Sequence, residues 1–232
     1  WEWKFMKNNI ITIDGPSASG KGTLAKAISK EFNFHLLDSG LLYRTYAFLK
    51  LNGIDGIDLV NEIKNKFVFD TSKKEIVILY KNIEITNEIR SEKIAKIASE
   101  ISTIEKTRQD LLPIQRSLYK LPRQFAVWLG RGTVVFPEAK VKIFLDASVN
   151  ERANRRFQEL QNRGQEVNMR DLIDDIEKRD NMDKTRILSP LVPADDAIVI
   201  DSSEMSPDEV LSFTKKLIKR KIFLWVNHLQ VC

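Results

Sequence analysis

The stretch Gly15-Pro16-Ser17-Ala18-Ser19-Gly20-Lys21-Gly22-Thr23 constrains this chain more than any other. It follows Ile10-Ile11-Thr12-Ile13, a β-branched apolar run that reads as a strand buried on both faces of a parallel sheet. It precedes Leu24, Ala27, Ile28 and Phe32, which recur at helical spacing. A glycine-rich loop between a strand and a helix is the setting in which a P-loop has physical meaning. Glycine lets the backbone wrap with its N–H groups inward, and the helix adds its positive dipole end, so a β-phosphate can be held by main chain alone. Lys21 then supplies a mobile charge near a transferred group. The strict pattern sets Ser or Thr directly after the lysine; here Gly22 intervenes, and Thr23 becomes the expected Mg2+ ligand.

Further along, Leu36-Leu37-Asp38 reads as a second strand that completes a βαβ unit, and residues 39–51 form a helix stopped by Asn52-Gly53. The middle changes character. Phe67-Val68-Phe69, Ile76 to Tyr80 and Ile83-Glu84-Ile85 are short strands joined by Thr71-Ser72-Lys73-Lys74 and by Lys81-Asn82, a small antiparallel insertion. Helical periodicity returns over 89–101. Ser102-Thr103-Ile104-Glu105 has the capping-box pattern of a new helix, which Pro113 is expected to kink. Buried strands resume at 125–129, 141–145 and 197–200. Two charged helices, 150–163 and 169–182, are separated at Gly164, and a last amphipathic helix starts at Ser206-Pro207 and runs towards Lys221. The fold class is α/β: a P-loop core with a central parallel sheet flanked by helices, an inserted module with a small antiparallel sheet, and a short lid. The expected division is core over 6–52, 111–150 and 179–222, insertion over 53–110, and lid over 151–178. Residues 1–5 read as a tag or an upstream extension.

Composition narrows the function classes. With 232 residues and 43% hydrophobic content the chain can bury a sizeable core. Its 37 Lys+Arg against 32 Asp+Glu give +5, a basic balance too dilute to imply nucleic acid, and the late arginines lack interleaved aromatics. The only cysteine, Cys232, leaves no disulfide framework and no thiolate metal cluster, which favours a cytoplasmic location. The apolar run from Ile222 to Val226 is too short to cross a bilayer, and no signal peptide is evident, so neither membrane nor secretion is expected. The absence of an Asn-Lys-x-Asp tetrapeptide argues against a GTP switch.

Three more constellations bear on chemistry. Asp38-Ser39-Gly40-Leu41-Leu42-Tyr43-Arg44 lies at the C-terminal edge of the sheet, where open α/β folds bind ligands. Ser39 can cap a helix and Arg44 can reach a second phosphate; a plain cap with a solvated arginine is the alternative. Arg152, Arg155 and Arg156 share a helix face and could close over phosphates, or form a salt-bridged solvent face with Glu151 and Glu159. Arg179, Asp183 and Arg186 recur on one face if their helix persists to Ile187, either as a sugar and phosphate site or as an internal ion-pair triad.

The strings ITIDGPSASGKGTLAKAI, HLLDSGLLYR, GTVVFPEAKVKIFLDAS and RDNMDKTRILSPLVPADDAIVIDS resemble the bacterial cytidylate kinase (CMP/dCMP kinase) family, from Ile10 to about Lys219. That resemblance implies a P-loop nucleoside monophosphate kinase of pyrimidine metabolism. It would transfer the γ-phosphoryl group of ATP, with Mg2+, to CMP or dCMP, as a monomer with small-molecule partners only. Gly15 to Thr23 would hold ATP, and Lys21, Arg131, Arg152 and Arg156 would carry the catalytic charge. Ser39 and Asp183 resemble ribose contacts, with Arg179 near sugar and phosphate. Arg44 and Arg131 resemble clamps on the monophosphate. Ser99, Arg108 and Arg186 fall where the family reads the cytosine edge, and a helix break at Ser102 would let Ser99 and Arg108 share that pocket.

One stretch departs from the family's acid-Gly-Arg-Asp-Met/Ile-Gly-Thr-Val-Val pattern. Here it reads Leu129-Gly130-Arg131-Gly132-Thr133-Val134-Val135, two residues shorter and without the acid at the strand end. The absent aspartate would accept from the cytosine amino group; an unpaired amine costs ~1–3 kcal/mol in base discrimination. Asp14 and Asp38 still end neighbouring strands and could hold the metal's waters. Three readings stay open: an altered kinase or a sequence short of two residues, a kinase of another small acceptor, and a nucleotide-binding regulator that has lost turnover.

Overall fold

The computed structural model describes residues 10–70, 76–118, 126–129, 132–162, 164–185 and 190–229. It divides into two compact units, Trp1–Phe34 with Gln124–Cys232, and His35–Arg123.

In the first unit, strands β1 (Ile10–Asp14), β6 (Ala126–Leu129), β7 (Val141–Asp146) and β8 (Ile198–Asp201) lie in the order β6-β1-β7-β8, every pairing parallel. Ile11 pairs with Val127 on one side and Val141 on the other, and Ile143 pairs with Ile198. Every residue of β1 is buried, as an apolar β-branched strand flanked on both edges requires. Helix α1 (Lys21–Phe32) leaves the loop at Gly20, whose φ is 91°, and ends on Asn33 in the left-handed region, φ 54°. It buries Leu24, Ala25 and Ile28 and lies against β6 and the last helix, α10 (Pro207–Leu229). A reciprocal capping box opens α10: Ser206 Oγ accepts from Glu209 N–H at 3.3 Å, and Glu209 Oε2 accepts from Ser206 N–H at 2.8 Å. That helix runs past Lys221, where the sequence reading stopped. The short α7 (Gly132–Val135) and the charged pair α8 (Val149–Gln161) and α9 (Met169–Thr185) complete this unit, with Gly164 at φ 73° between the pair. Since α9 ends at Thr185, the expected continuation to Ile187 lies outside the described residues.

The second unit holds β2 (His35–Asp38), α2 (Ser39–Leu51), α3 (Gly56–Lys66), β3 (Phe67–Asp70), β4 (Val77–Tyr80), β5 (Ile83–Glu84), α4 (Thr86–Ile89), α5 (Glu92–Ile101) and α6 (Glu105–Leu118). Its core is its own, centred on Leu42, Leu49, Leu59, Ile78, Ile89 and Leu111. The antiparallel hairpin expected in the middle of the chain is present, with Phe67 opposite Tyr80 and their rings 4.6 Å apart. Lys81 (φ 50°) and Asn82 (φ 66°) both adopt the left-handed conformation that a tight two-residue hairpin turn demands.

Three local readings change. Helix α3 was not anticipated: Asp55 caps it from 2.9 Å, and Leu59 and Ile63 bury one face. The helix expected over 89–101 is two pieces, because the Ser91 side chain starts a new turn by accepting from Ile94 N–H. Ser102 ends α5, its hydroxyl donating back to the Ser99 carbonyl at 2.7 Å, and α6 begins three residues later at Glu105. Pro113 sits within a continuous α6.

Candidate active site

Candidate site residues occur in both units. In the first, β1 delivers the chain into the loop at Gly15, whose φ is 142°. A Cβ at that position would stand 2.0 Å from the Leu145 carbonyl oxygen, so only glycine lets the loop lie this close to β7. Ala18 takes φ 60° without being glycine, and Ser19 is buried. Lys21 donates from Nζ to the Pro16 carbonyl, folding over the loop. Burial lowers its pKa to about 8, with Arg179 and Arg152 pushing the same way, while Asp14 and Asp183 hold it up. Thr23 is exposed on the first turn of α1, and Asp14 closes β1, 7% exposed.

The late arginines gather around this loop, though not as a common clamp. Arg152, 2% exposed, donates from Nη1 to the Ser17 carbonyl at 3.2 Å and to Asp180 Oδ1 at 2.9 Å. Its Nη2 takes the other Asp180 oxygen and its Nε the Ala147 carbonyl at 2.9 Å. Arg152 is thus a buried brace in this structure, where the sequence suggested an open phosphate clamp. Arg155 donates to the Ser19 carbonyl at 3.1 Å and to Ser202. Arg156 pairs with Glu159 at 2.7 Å on its own helix, the surface ion pair weighed above as the alternative. On α9, Arg179 Nε stands 3.9 Å from Asp183 Oδ2. Arg131 and Arg186 lie outside the described residues.

In the second unit Asp38, not Ser39, caps α2, accepting from Gly40 N–H at 2.9 Å. Ser39 is the first helical residue and is buried. Burial pushes the Asp38 carboxyl up, against the Gly40 and Leu41 amides and the Arg44 and Arg90 charges that favour its ionised form. Arg44 donates to the Ile89 carbonyl at 3.3 Å, and Arg90 to the Ile76 carbonyl at 3.4 Å. The break between α5 and α6 does turn the chain between Ser99 and Arg108, and Arg108 Nε donates to the Ser102 carbonyl at 2.8 Å.

Sequence reading missed Asp180 and Arg90, and assigned Arg155 no separate part. An acid four residues past the apolar Ile176 on the same helix is a signal that Asp180 faces inward with it. Arg90 had none, standing alone between two helical turns.

Hard oxygen donors suit Mg2+, and Thr23 Oγ1 and the Asp14 carboxylate provide them beside the loop. No group of three His, Cys, Asp or Glu among the described residues could cage an ion by itself. Such a donor set fits a magnesium carried mainly on phosphates.

A strand, glycine loop and lysine-headed helix beneath braced arginines define a P-loop nucleotide-binding protein of the α/β class. The family model described as cytidylate kinase matches residues 11–220, and the chain belongs to that family. A cytidylate kinase of Salmonella arizonae is 40% identical over 222 residues, covering 93% of this chain and 97% of that protein. One of Klebsiella pneumoniae is 39% identical over 220 residues, with 92% and 96% covered. Among solved structures, an uncharacterized protein from Eubacterium ventriosum superposes with a TM-score of 0.50 at 14% identity, covering 91% of this chain and 98% of that one, a likeness of fold alone.

Proposed function

We propose that the chain is an ATP:CMP/dCMP phosphotransferase, a nucleoside monophosphate kinase that yields ADP and CDP or dCDP. The observation that carries this reading is the loop of Gly15 to Thr23, seated on β7 with Lys21 folded across it, in a chain of the cytidylate kinase family. The loop amides would take the β-phosphate of ATP, and Lys21 would leave the Pro16 carbonyl for the transferring group. Thr23 would hold Mg2+, with Asp14 on its waters; the ion would offset charge on the phosphates. Arg44, Arg131 and Arg179 are assigned to the monophosphate, Ser39 and Asp183 to the sugar, and Ser99, Arg108 and Arg186 to the base. Arg156 would exchange Glu159 for phosphate oxygens, and Arg152 would act through the Ser17 carbonyl. Residues 53–110 would receive the acceptor and 151–178 would close as a lid.

The acceptor is already a phosphate anion, so no side chain need remove a proton. Rate enhancement then comes from in-line placement and from cations where charge spreads over the equatorial oxygens. Lid closure would exclude the water that otherwise hydrolyses ATP. The reading further takes the protein as a cytoplasmic monomer without nucleic-acid or membrane partners; no helix among the described residues is long and apolar enough to cross a membrane.

An ATP-coupled assay across CMP, dCMP, UMP, AMP and simple alcohols tests it. CMP and dCMP are expected to be the best acceptors, and Lys21→Ala to abolish turnover. Near-normal CMP phosphorylation by that variant would remove Lys21 from its role, and preference for a non-nucleotide acceptor would overturn the function.

A further inference from the structure

Arg155 makes more contacts than an ion pair on a helix surface needs. Its Nε donates to Glu151 Oε1 at 2.8 Å, Nη1 to the Ser19 carbonyl at 3.1 Å and to Ser202 Oγ at 3.2 Å, and Nη2 to the Ser202 carbonyl at 2.7 Å. Ser202 is itself fixed: its N–H and its hydroxyl donate to the Asp146 carbonyl at 2.8 and 2.9 Å, and the residue is 1% exposed. A guanidinium is a rigid planar fork, so once Glu151 and Ser202 hold it, the position of the remaining donor is settled. That donor meets the phosphate-binding loop on the carbonyl of Ser19.

A trans peptide is planar, with its C=O and N–H pointing in opposite directions. Holding the Ser19 oxygen against α8 therefore turns the Gly20 N–H away from α8. Arg152 grips the Ser17 carbonyl from one turn earlier on the same helix and so orients the Ala18 N–H in the same manner. Alternate carbonyls of the loop are thus taken from outside by two forks of one helix.

We propose that Arg155 is a positioning residue for the phosphate cradle: anchored on Glu151 and Ser202, it sets the Ser19–Gly20 peptide plane, and with it the direction of Gly20 N–H, before a nucleotide arrives. The inference rests on the loop being an ATP site, but not on which acceptor is phosphorylated.

The test compares wild type with Arg155→Gln and Arg155→Lys. In nucleotide-free protein, the Gly20 amide resonance should shift in both variants, a change that a residue touching only the nucleotide would not produce. By calorimetry with ATP alone, both should bind about tenfold more weakly or worse, because neither an amide nor a point-charge ammonium spans the Ser19 and Ser202 oxygens together. The KM for CMP should stay within about twofold, as expected for a group acting on the donor site only. Should Arg155→Gln not fold, Ser202→Ala removes one leg of the anchor, with a smaller Gly20 shift and about a two- to threefold loss in ATP affinity expected. An unchanged Gly20 resonance, or ATP affinity within twofold of wild type in both Arg155 variants, overturns the proposal. A wild-type chain that binds ATP yet leaves CMP unphosphorylated defeats the acceptor assignment instead, and the Gly20 comparison still decides the role of Arg155.

Discussion

Lys21 is held where its charge is disfavoured, since burial and two guanidinium groups outweigh the nearby carboxylates and bring its pKa to about 8. A lysine less basic in the folded chain than in the unfolded one binds fewer protons in the native state between those two values. On this group alone, stability rises as pH climbs from about 8 towards 10.5, the ordinary value of an unburied lysine. Function runs the other way, because phosphate oxygens favour the ammonium form. At pH 9 the free chain is mostly neutral at Lys21, so ATP binding should draw in close to one proton, against about a tenth of one at pH 7. Calorimetry in two buffers of unlike ionisation heat reads this directly. Identical heats at pH 9, or an uptake that survives Lys21→Met, would assign the proton to another group.

At the scale of elements, α8 and α9 are joined by the Arg152–Asp180 pair, with side chains 3% and 10% exposed. Deleting one partner of a buried pair strands the other charge, and Arg152 would be left with only the Ala147 and Ser17 carbonyls. Asp180→Ala should therefore lose ~3–5 kcal/mol of unfolding free energy, read by urea titration of the nucleotide-free protein. A loss below ~1 kcal/mol would mean that water reaches the arginine. This pair also marks where sequence reading stops. The helix face shared by Arg152, Arg155 and Arg156 was legible from their spacing, as were β1, α1, the hairpin and both charged helices. Which oxygens those guanidiniums take was not, because Ser17, Ser19 and Asp180 reach α8 only through the fold. Helix α3 escaped for a different reason: the glycines and aspartates around Asn52 to Asp58 signal turns, and only tertiary burial of Leu59 and Ile63 outweighs them. Ser39 was taken as a cap one residue too late, since Asp38 reads equally well as the end of a strand.

For the whole molecule, the division into two units places Ser39, Arg44, Ser99 and Arg108 of the candidate acceptor contacts in one unit, while Arg131, Arg179, Asp183 and Arg186 share the unit of the phosphate loop. Arg108 belongs to the unit His35–Arg123, whereas the phosphate loop belongs to the other. Arg108→Ala should raise the KM for CMP tenfold or more, about the effect of losing one charged hydrogen bond, while the Kd for ATP measured alone stays within about twofold. Equal effects on both nucleotides would take Arg108 out of the base pocket. The same division sets an order of events during synthesis. β1 and α1 precede the whole of His35–Arg123 in the chain, yet the partners of β1 in the sheet are β6 and β7, which come after it. At roughly 5–20 residues per second, the ribosome leaves the apolar Ile10–Asp14 segment without its neighbours for several seconds to tens of seconds while the intervening segment is made. The nascent chain thus passes through an interval in which a strand that ends up wholly sequestered is left sticky, and slowing translation beyond residue 123 should increase its demand for chaperones.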